Sequence, residues 1–443
     1  MHSYIKTFLK RLSSLVDLKI LLGAGISFII KIFGAGVSFG LQVALARLLS
    51  LEDYGSFTYI MAWIGMISGF ASLGFTTSLI RFIPQYLNKE EFGKLKGVIK
   101  TSLLITFSCS LLFAVFGLLL ILLVPNLGNR PGYSHHTYLY AVGILFGMAF
   151  TKLFGDLEKG KKNMFMAHAP SHLFRHVFVG VGVFILWLMN SQIDVEAAIL
   201  ITFISIWLLV GWHLITLKYG LPNEVFISET EYQVKKWLKT SLPLLLISGF
   251  LMILNKTDVI MLGIFSTKAQ VGIYNVAYKV STVVTFILVA VNAIAAPTIS
   301  ELYHQGKMKE LQRLATNTIH LIFWPTLLIS GLLILLSDFV LGLFGGEFLA
   351  GKILLNILLV GQIISASTGC VGNFLNMTGY QNESAKIFGT VALVNIIFNP
   401  IGIYFYGAEG AAVVTTLTII IWNVWFYISV KRKIGVNTII FGL

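Results

Sequence analysis

Charge is scarce in this chain, and acidic charge scarcer still. Of its 443 residues only 12% are Asp, Glu, Lys or Arg, 19 of them acids and 32 bases, for a formal charge of +13. Soluble domains average roughly 25% charged residues, so an ordinary soluble fold is excluded. Cysteine is rarer. Cys109 and Cys370 lie far apart in apolar segments, which excludes a disulfide framework and a cysteine metal site. No Walker A sequence occurs, so there is no evident ATP site. His135-His136 lacks helical metal-ligand spacing and neighbouring cysteines. Spacing assigns no serine–histidine–acid set and no paired carboxylates. The connections between apolar runs are too short to hold a catalytic domain.

What is present is hydrophobic sequence, 56% of residues with mean hydropathy +0.85, in runs of about 20 residues that suit a bilayer. The expected fold is an all-α polytopic membrane protein of about twelve transmembrane helices. The spans run near 22–48, 56–82, 99–124, 138–158, 164–189, 196–218, 240–264, 273–299, 314–338, 352–376, 385–406 and 411–430. Placing the N-terminus inside puts Arg81, Lys89, Lys94, Lys96 and Lys100 in one inner loop. Lys159, Lys161 and Lys162 follow in the next, then Lys218, Lys235, Lys236 and Lys239. Lys307, Lys309, Arg313, Lys386 and Lys431-Arg432-Lys433 complete that side, while the outer loops offer little beyond Arg130, Lys268 and Lys352. The bias places both termini in the cytoplasm. It also accounts for the basic excess as topology and attraction to anionic lipid, not nucleic-acid binding. Lys6, Lys10, Arg11 and Lys19 precede the first span, which is too long for a signal-peptide core, so this segment is expected to be retained. Ile5, Phe8, Leu9, Leu12, Leu15 and Val16 recur at helical spacing there, as on a helix lying along the inner surface.

The first span carries a stripe of Ala24, Ser27, Lys31, Gly34, Ala35, Ser38 and Gln42 at three- and four-residue steps. Such a face is kept from lipid and meets protein or water. The chain also repeats at an offset of 213 residues: Pro84 with Pro297, Gly93-Lys94-Leu95-Lys96 with Gly306-Lys307-Met308-Lys309, and Glu196-Ala197-Ala198 with Glu409-Gly410-Ala411. Two six-helix lobes, residues 1–220 and 221–443, follow from this. Because six spans return each half to the same side, pseudo-twofold symmetry along the membrane normal relates them, around a central cavity.

Charged residues inside spans cost roughly 2.5–3.5 kcal/mol each at a helix centre, so each asks for a reason. His168, His172 and Arg175 share one face of the fifth span, with His176 beside them. Arg175 stands about 18 Å from the start of its helix near Asn163, close to the midplane. It reads either as a structural pair with a carbonyl or acid, or as the centre of an anion-binding face. Lys31 lies only about 12 Å from its helix end and suits an inner vestibule. Lys152 and Asp156, four apart, are expected to neutralise each other. Lys256 and Lys279 are further cavity cations. Asp258, like Asp156, is a candidate for a coupling proton or sodium ion, with pairing to Lys256 or Lys279 as its alternative. No other cofactor is expected.

Leu41–Tyr59, LQVALARLLSLEDYGSFTY, and Ser72–Tyr86, SLGFTTSLIRFIPQY, resemble the polysaccharide and O-antigen flippases of the MOP (MATE-like) superfamily. Those proteins carry an ARLL-x-x-x-DYG corner and an LG…RF-P/E-Y ending in their first two spans. Gly372–Asn382, GNFLNMTGYQN, and Phe405–Ala412, FYGAEGAA, fit as well. The resemblance implies a cell-membrane transporter, not an enzyme. It implies passage of a polyprenyl-diphosphate-linked oligosaccharide from the inner to the outer leaflet by alternating access, with membrane lipids and polysaccharide-assembly proteins as partners. Arg175, His172, His168, Lys31, Lys152, Lys256 and Lys279 are the expected substrate-binding cations. A MATE-type exporter of organic cations is the alternative, although its cavity would favour acids. A membrane glycan polymerase or glycosyltransferase is a third, and needs acids or a large outer loop that the sequence lacks.

Overall fold

The computed structural model describes residues 18–123, 134–189 and 192–440. The expected surface helix before residue 17 and Arg130 lie outside them. Within them the chain is helical, with no β-strand. The first half comprises α1 (Leu18–Leu48), α2 (Leu51–Ala71), α3 (Phe75–Asn88), α4 (Phe92–Leu123), α5 (His135–Gly160), α6 (Met164–Leu188) and α7 (Val195–Gly220). A connector with the short α8 (Asn223–Ile227) leads to α9 (Val234–Phe265), α10 (Lys268–Ser281), α11 (Thr285–His304), α12 (Met308–Leu335), α13 (Ser337–Gly342), α14 (Lys352–Thr368), α15 (Val371–Met377) and α16 (Gln381–Ile434).

The corners explain where helices start. Ser50 caps α2 by accepting the Asp53 amide at 3.1 Å, with Glu52 and Asp53 in the positive first turn. Thr267 caps α10 through Gln270 and Asp194 caps α7 through Ala197. The DYG corner of the sequence is therefore a helix stop followed by a capped start.

Among the described residues, ten helices are long and apolar enough to cross a membrane, or eleven when the bent pair α2–α3 is taken as one span. The expectation was about twelve, and α16 explains the difference. It contains Gly407 at φ 55° between two helical segments. A Cβ on Gly410 would stand 1.9 Å from the Gly402 carbonyl oxygen, although eight helical residues would span about 12 Å. The chain reverses there, between the expected spans 385–406 and 411–430.

The second spans of the two sequence repeats both break. α2 and α3 meet at 43° across Leu73 and Gly74, both at positive φ, and their counterparts α10 and α11 meet across a 3₁₀ turn at Thr282–Val284. Outward faces are apolar: Leu112 and Leu328 are 66% and 67% exposed, as a lipid-facing surface requires. One core joins the halves through Leu45, Tyr54, Ile260, Val271, Phe348 and Leu358. A second fills the second half around Ile299, Phe374 and Val430, and a third gathers Phe75, Leu79, Tyr86, Leu95 and Trp237.

Lys96, read from sequence only as a topology lysine, has a structural task. Its ammonium donates to the carbonyls of Phe226 at 2.6 Å and Ser228 at 2.9 Å, and the Glu231 amide bonds the Gly93 carbonyl at 3.0 Å. The connector is thus strapped to α4. The start of α9 leans the same way, through Trp237 donating to Tyr86 at 2.9 Å and the Ser78–Ser241 hydroxyl pair at 2.6 Å.

The crossing at Gly402 and Gly410 leaves no room for a side chain. Gly410→Val should destabilise the protein by about 1–3 kcal/mol, read as a lower thermal midpoint in detergent. Gly331→Ala, whose Cβ meets nothing within 4 Å, should leave the midpoint unchanged or raise it.

Candidate functional site

A cavity of about 600 Å³ lies inside the bundle, walled by α1, α2, α5, α6 and α7 and reaching α9 and α10 of the second half. Its wall is cationic. Lys152 and Lys159 enter from α5, Arg175 from α6, Lys256 from α9 and Lys279 from α10, with His168, His172 and His176 on the α6 face. Among the described residues, Asp156 is the only acid on this wall.

The expected pairing of Asp156 with Lys152 is corrected. Asp156 bonds Lys159 at 2.5 Å, one turn towards the helix end. Lys152 is exposed to the cavity, its ammonium 3.3 Å from where a Cβ on Gly69 would stand. Among the described residues, Lys152, Arg175, Lys256 and Lys279 have no acid partner within ion-pair distance. Arg175, Lys256 and Lys279 stand within electrostatic range of one another. The Arg175 guanidinium lies 3.4 Å from His176 Nε2. Lys31 is half-buried on α1 and off the cavity wall, yet within electrostatic range of Lys159, His168 and His172.

Local sequence sets the histidine–arginine face. Pro170 has no amide to give, and residues Pro170–Phe174 widen into a π-turn within α6. His172 lies in that turn, pressed against α1 at Gly34, where a Cβ would come 2.4 Å from the His172 carbonyl oxygen. The small stripe of the first span is therefore a true seam. Gly34 takes the π-turn, while Ser38 and Gln42 face the cavity.

One end of the cavity is closed by a buried polar network. The Tyr54 hydroxyl donates to Gln42 Oε1 at 2.9 Å, and Asn275 Nδ2 donates to Tyr54 at 3.2 Å and to Thr58 at 3.5 Å. Beyond it Arg47 donates to the Leu343 carbonyl at 2.6 Å and the Gly342 carbonyl at 3.2 Å, at the end of α13. Phe39 meets Phe344 and Tyr54 meets Phe348 edge to face. These contacts cross between the halves.

Asp258 is elsewhere. It pairs with neither Lys256 nor Lys279, because two residues along a helix lie nearly opposite each other. Lys256 faces the cavity, while Asp258 is 3% exposed in the second half. Its carboxylate accepts from Tyr274 at 2.7 Å, Thr415 at 2.6 Å and Asn399 at 2.5 Å. Asn395 stands beside it without a hydrogen bond of good geometry, and Asn399 Oδ1 has no partner among the described residues. Sequence reasoning missed Asn395, Asn399 and Thr415. The legible signal was two asparagines four residues apart in the apolar run VNIIFNP. It also missed Lys159 as a cavity residue.

Comparison with known proteins agrees with this architecture. The family model described as "Polysaccharide biosynthesis protein" matches residues 20–303, and MatE matches residues 243–401. The chain is 25% identical over 402 residues to the probable low-salt glycan biosynthesis flippase Agl15 of Haloferax volcanii, covering 88% of this chain and 79% of that protein. An inward-facing multidrug resistance MATE family transporter of the MOP superfamily superposes with TM-score 0.73 at 13% identity, over 93% of this chain and 98% of its own. The lipid II flippase MurJ, in an inward closed conformation, gives 0.71 at 17% identity, over 91% and 87%.

A wall with four unanswered cations attracts anions. In a chain with Cys109 and Cys370 replaced by serine, Ser171→Cys should react about tenfold faster with an anionic thiosulfonate than with a cationic one, after correction for free thiol. Lys256→Met should shrink that ratio.

Proposed function

We propose that this chain, which belongs to the polysaccharide biosynthesis protein family, is a flippase that moves a polyprenyl-diphosphate-linked oligosaccharide across the cell membrane. One observation carries the reading: Arg175, Lys256 and Lys279 converge on a single cavity from three helices, with no acid within ion-pair distance of them among the described residues. A diphosphate supplies the missing negative charge. Arg offers it planar, multidentate donors, and the two ammonium groups act as point charges. Lys152 extends the cationic path towards Lys159 and Lys31, and the histidines offer hydrogen bonds along it.

Residues 1–220 and 221–443 act as the two lobes, which rock to expose the cavity first to the inner and then to the outer leaflet, the lysine bias setting both termini in the cytoplasm. No bond in the substrate is made or broken. Asp258 serves as the coupling group: its oxygens, Asn399 Oδ1 and Asn395 Oδ1 form a set of acceptors suited to a sodium ion, and the carboxylate itself suits a proton. Asp156, already held by Lys159, is the weaker candidate for coupling.

A MATE-type exporter of organic cations is the second reading, favoured by the MatE match over residues 243–401. The cavity opposes it, since an organic cation would meet four unpaired cations and one neutralised acid. A deletion strain with altered drug susceptibility and normal surface glycan would reverse the order of the two readings.

Arg175→Ala should cut export roughly 10- to 150-fold, the cost of one charge-assisted hydrogen bond of about 1.5–3 kcal/mol, read as surface glycan in a strain dependent on this gene. Arg175→Lys should restore part of it. Normal glycan from Arg175→Ala at matched protein level removes Arg175 from the mechanism.

A further inference from the structure

We propose that Tyr274 and Asn275, neighbours on α10, tie the charge state of Asp258 to the closed seam between the two halves. The inference rests on Asp258 as the coupling group.

The geometry is a continuous chain of hydrogen bonds with a helix in its middle. Adjacent helical residues point about 100° apart, and these two point into different halves of the protein. Tyr274 turns into the second half and gives its hydroxyl proton to Asp258 Oδ2 at 2.7 Å. Asn275 turns across the seam and gives its amide protons to Tyr54 and Thr58 at 3.2 and 3.5 Å. Tyr54 then donates to Gln42 on α1 at 2.9 Å. Tyr54, Tyr274 and Asp258 are at most 3% exposed, so water does not readily replace a bond lost among them, while Gln42, Thr58 and Asn275 border the cavity.

α10 has no slack with which to absorb a shift. It crosses α2 with backbones in contact: a Cβ on Gly55 would stand 1.8 Å from the Lys268 carbonyl oxygen, and one on Gly272 would stand 3.2 Å from that of Leu51. Contacts this close pass a displacement on rather than cushion it. An anionic Asp258 accepts from Tyr274, Thr415 and Asn399 together and holds α10 where Asn275 reaches Tyr54. Positive charge placed on the carboxylate occupies the lone pairs that Tyr274 uses. The tyrosine then lets go, α10 is freed, and the Asn275 bonds across the seam weaken. Charge at Asp258 thereby selects whether this end of the cavity is latched.

The test reads the seam directly and leaves the substrate out. In the chain lacking Cys109 and Cys370, spin labels at Glu52→Cys and Glu347→Cys, exposed positions of the two halves at this end, report the inter-lobe distance in nanodiscs by pulsed electron resonance. Asp258→Asn, a neutral mimic of the occupied carboxylate, should raise the ratio of long to short distances roughly two- to tenfold, the leverage of one hydrogen bond. Tyr274→Phe should do the same with Asp258 intact. In an Asn275→Ala background, Asp258→Asn should leave the ratio unchanged. An Asp258→Asn shift of equal size with and without Asn275 overturns the link and leaves Asp258 as a coupling group. No shift from Asp258→Asn in the parental chain overturns both.

Discussion

Five cations face one cavity whose one acid among the described residues, Asp156, is already taken by Lys159, and much of the structure follows from keeping the other four charged. Buried in hydrocarbon, each would cost roughly 2.5–3.5 kcal/mol at a helix centre, and close together they repel. The arrangement is stable only where their heads reach water or an anion, so the bundle keeps a space of about 600 Å³ between its halves. The cavity is the condition under which Lys152, Arg175, Lys256 and Lys279 exist as cations, as well as the place where they act.

Such a space has to be closed somewhere, and closure is made from backbone. Gly55 and Gly272 bring α2 and α10 together, Gly34 takes the π-turn of α6, and Gly74 approaches the Ser241 carbonyl. Over these contacts lie few side-chain bonds, those of Arg47, Tyr54 and Asn275, on the cavity's closed end. The seam combines small residues and a handful of polar bonds with the core that runs through Leu45, Tyr54, Ile260 and Phe348. The cores around Phe374 and Leu79 lie within the second half or beside the connector.

The all-helical membrane fold and the cations of the cavity are written in the sequence, because each depends on periodicity or on a charge standing where lipid forbids it. Arg175, His172 and Lys256 could be found that way. Direction of approach could not. Asp156 has lysines at both four residues before it and three after it, and spacing does not decide between them; the structure gives it to Lys159. Asp258 looked like a partner for Lys256 because both are in one span, yet they face opposite ways into different environments. Asn395, Asn399 and Thr415 are neutral and cost less to bury than a charge, so they gave no alarm. The breaks at Gly74 and Thr282–Val284 were likewise silent, being decided by how the second span of each half crosses its neighbours.

The repeat also shows where the two halves parted chemically. At the 213-residue offset the counterpart of Arg175 is Phe388, whose ring packs edge-on against Trp422 and Phe426. One copy of the fold keeps that position wet and charged, while the other fills it with aromatic rings. The second half contributes cations only along its edge, through Lys256 and Lys279, and places its acid inside. The cavity cations and the buried acid therefore face separate environments, even where Lys256 and Asp258 share α9. Had both lain in one cavity, Asp258 would have neutralised the nearest lysine, as Asp156 does Lys159, and neither charge would remain free. Turning the carboxylate to the opposite face of α9 from Lys256 preserves both, with α10 carrying Lys279 on the cavity and Tyr274 against Asp258.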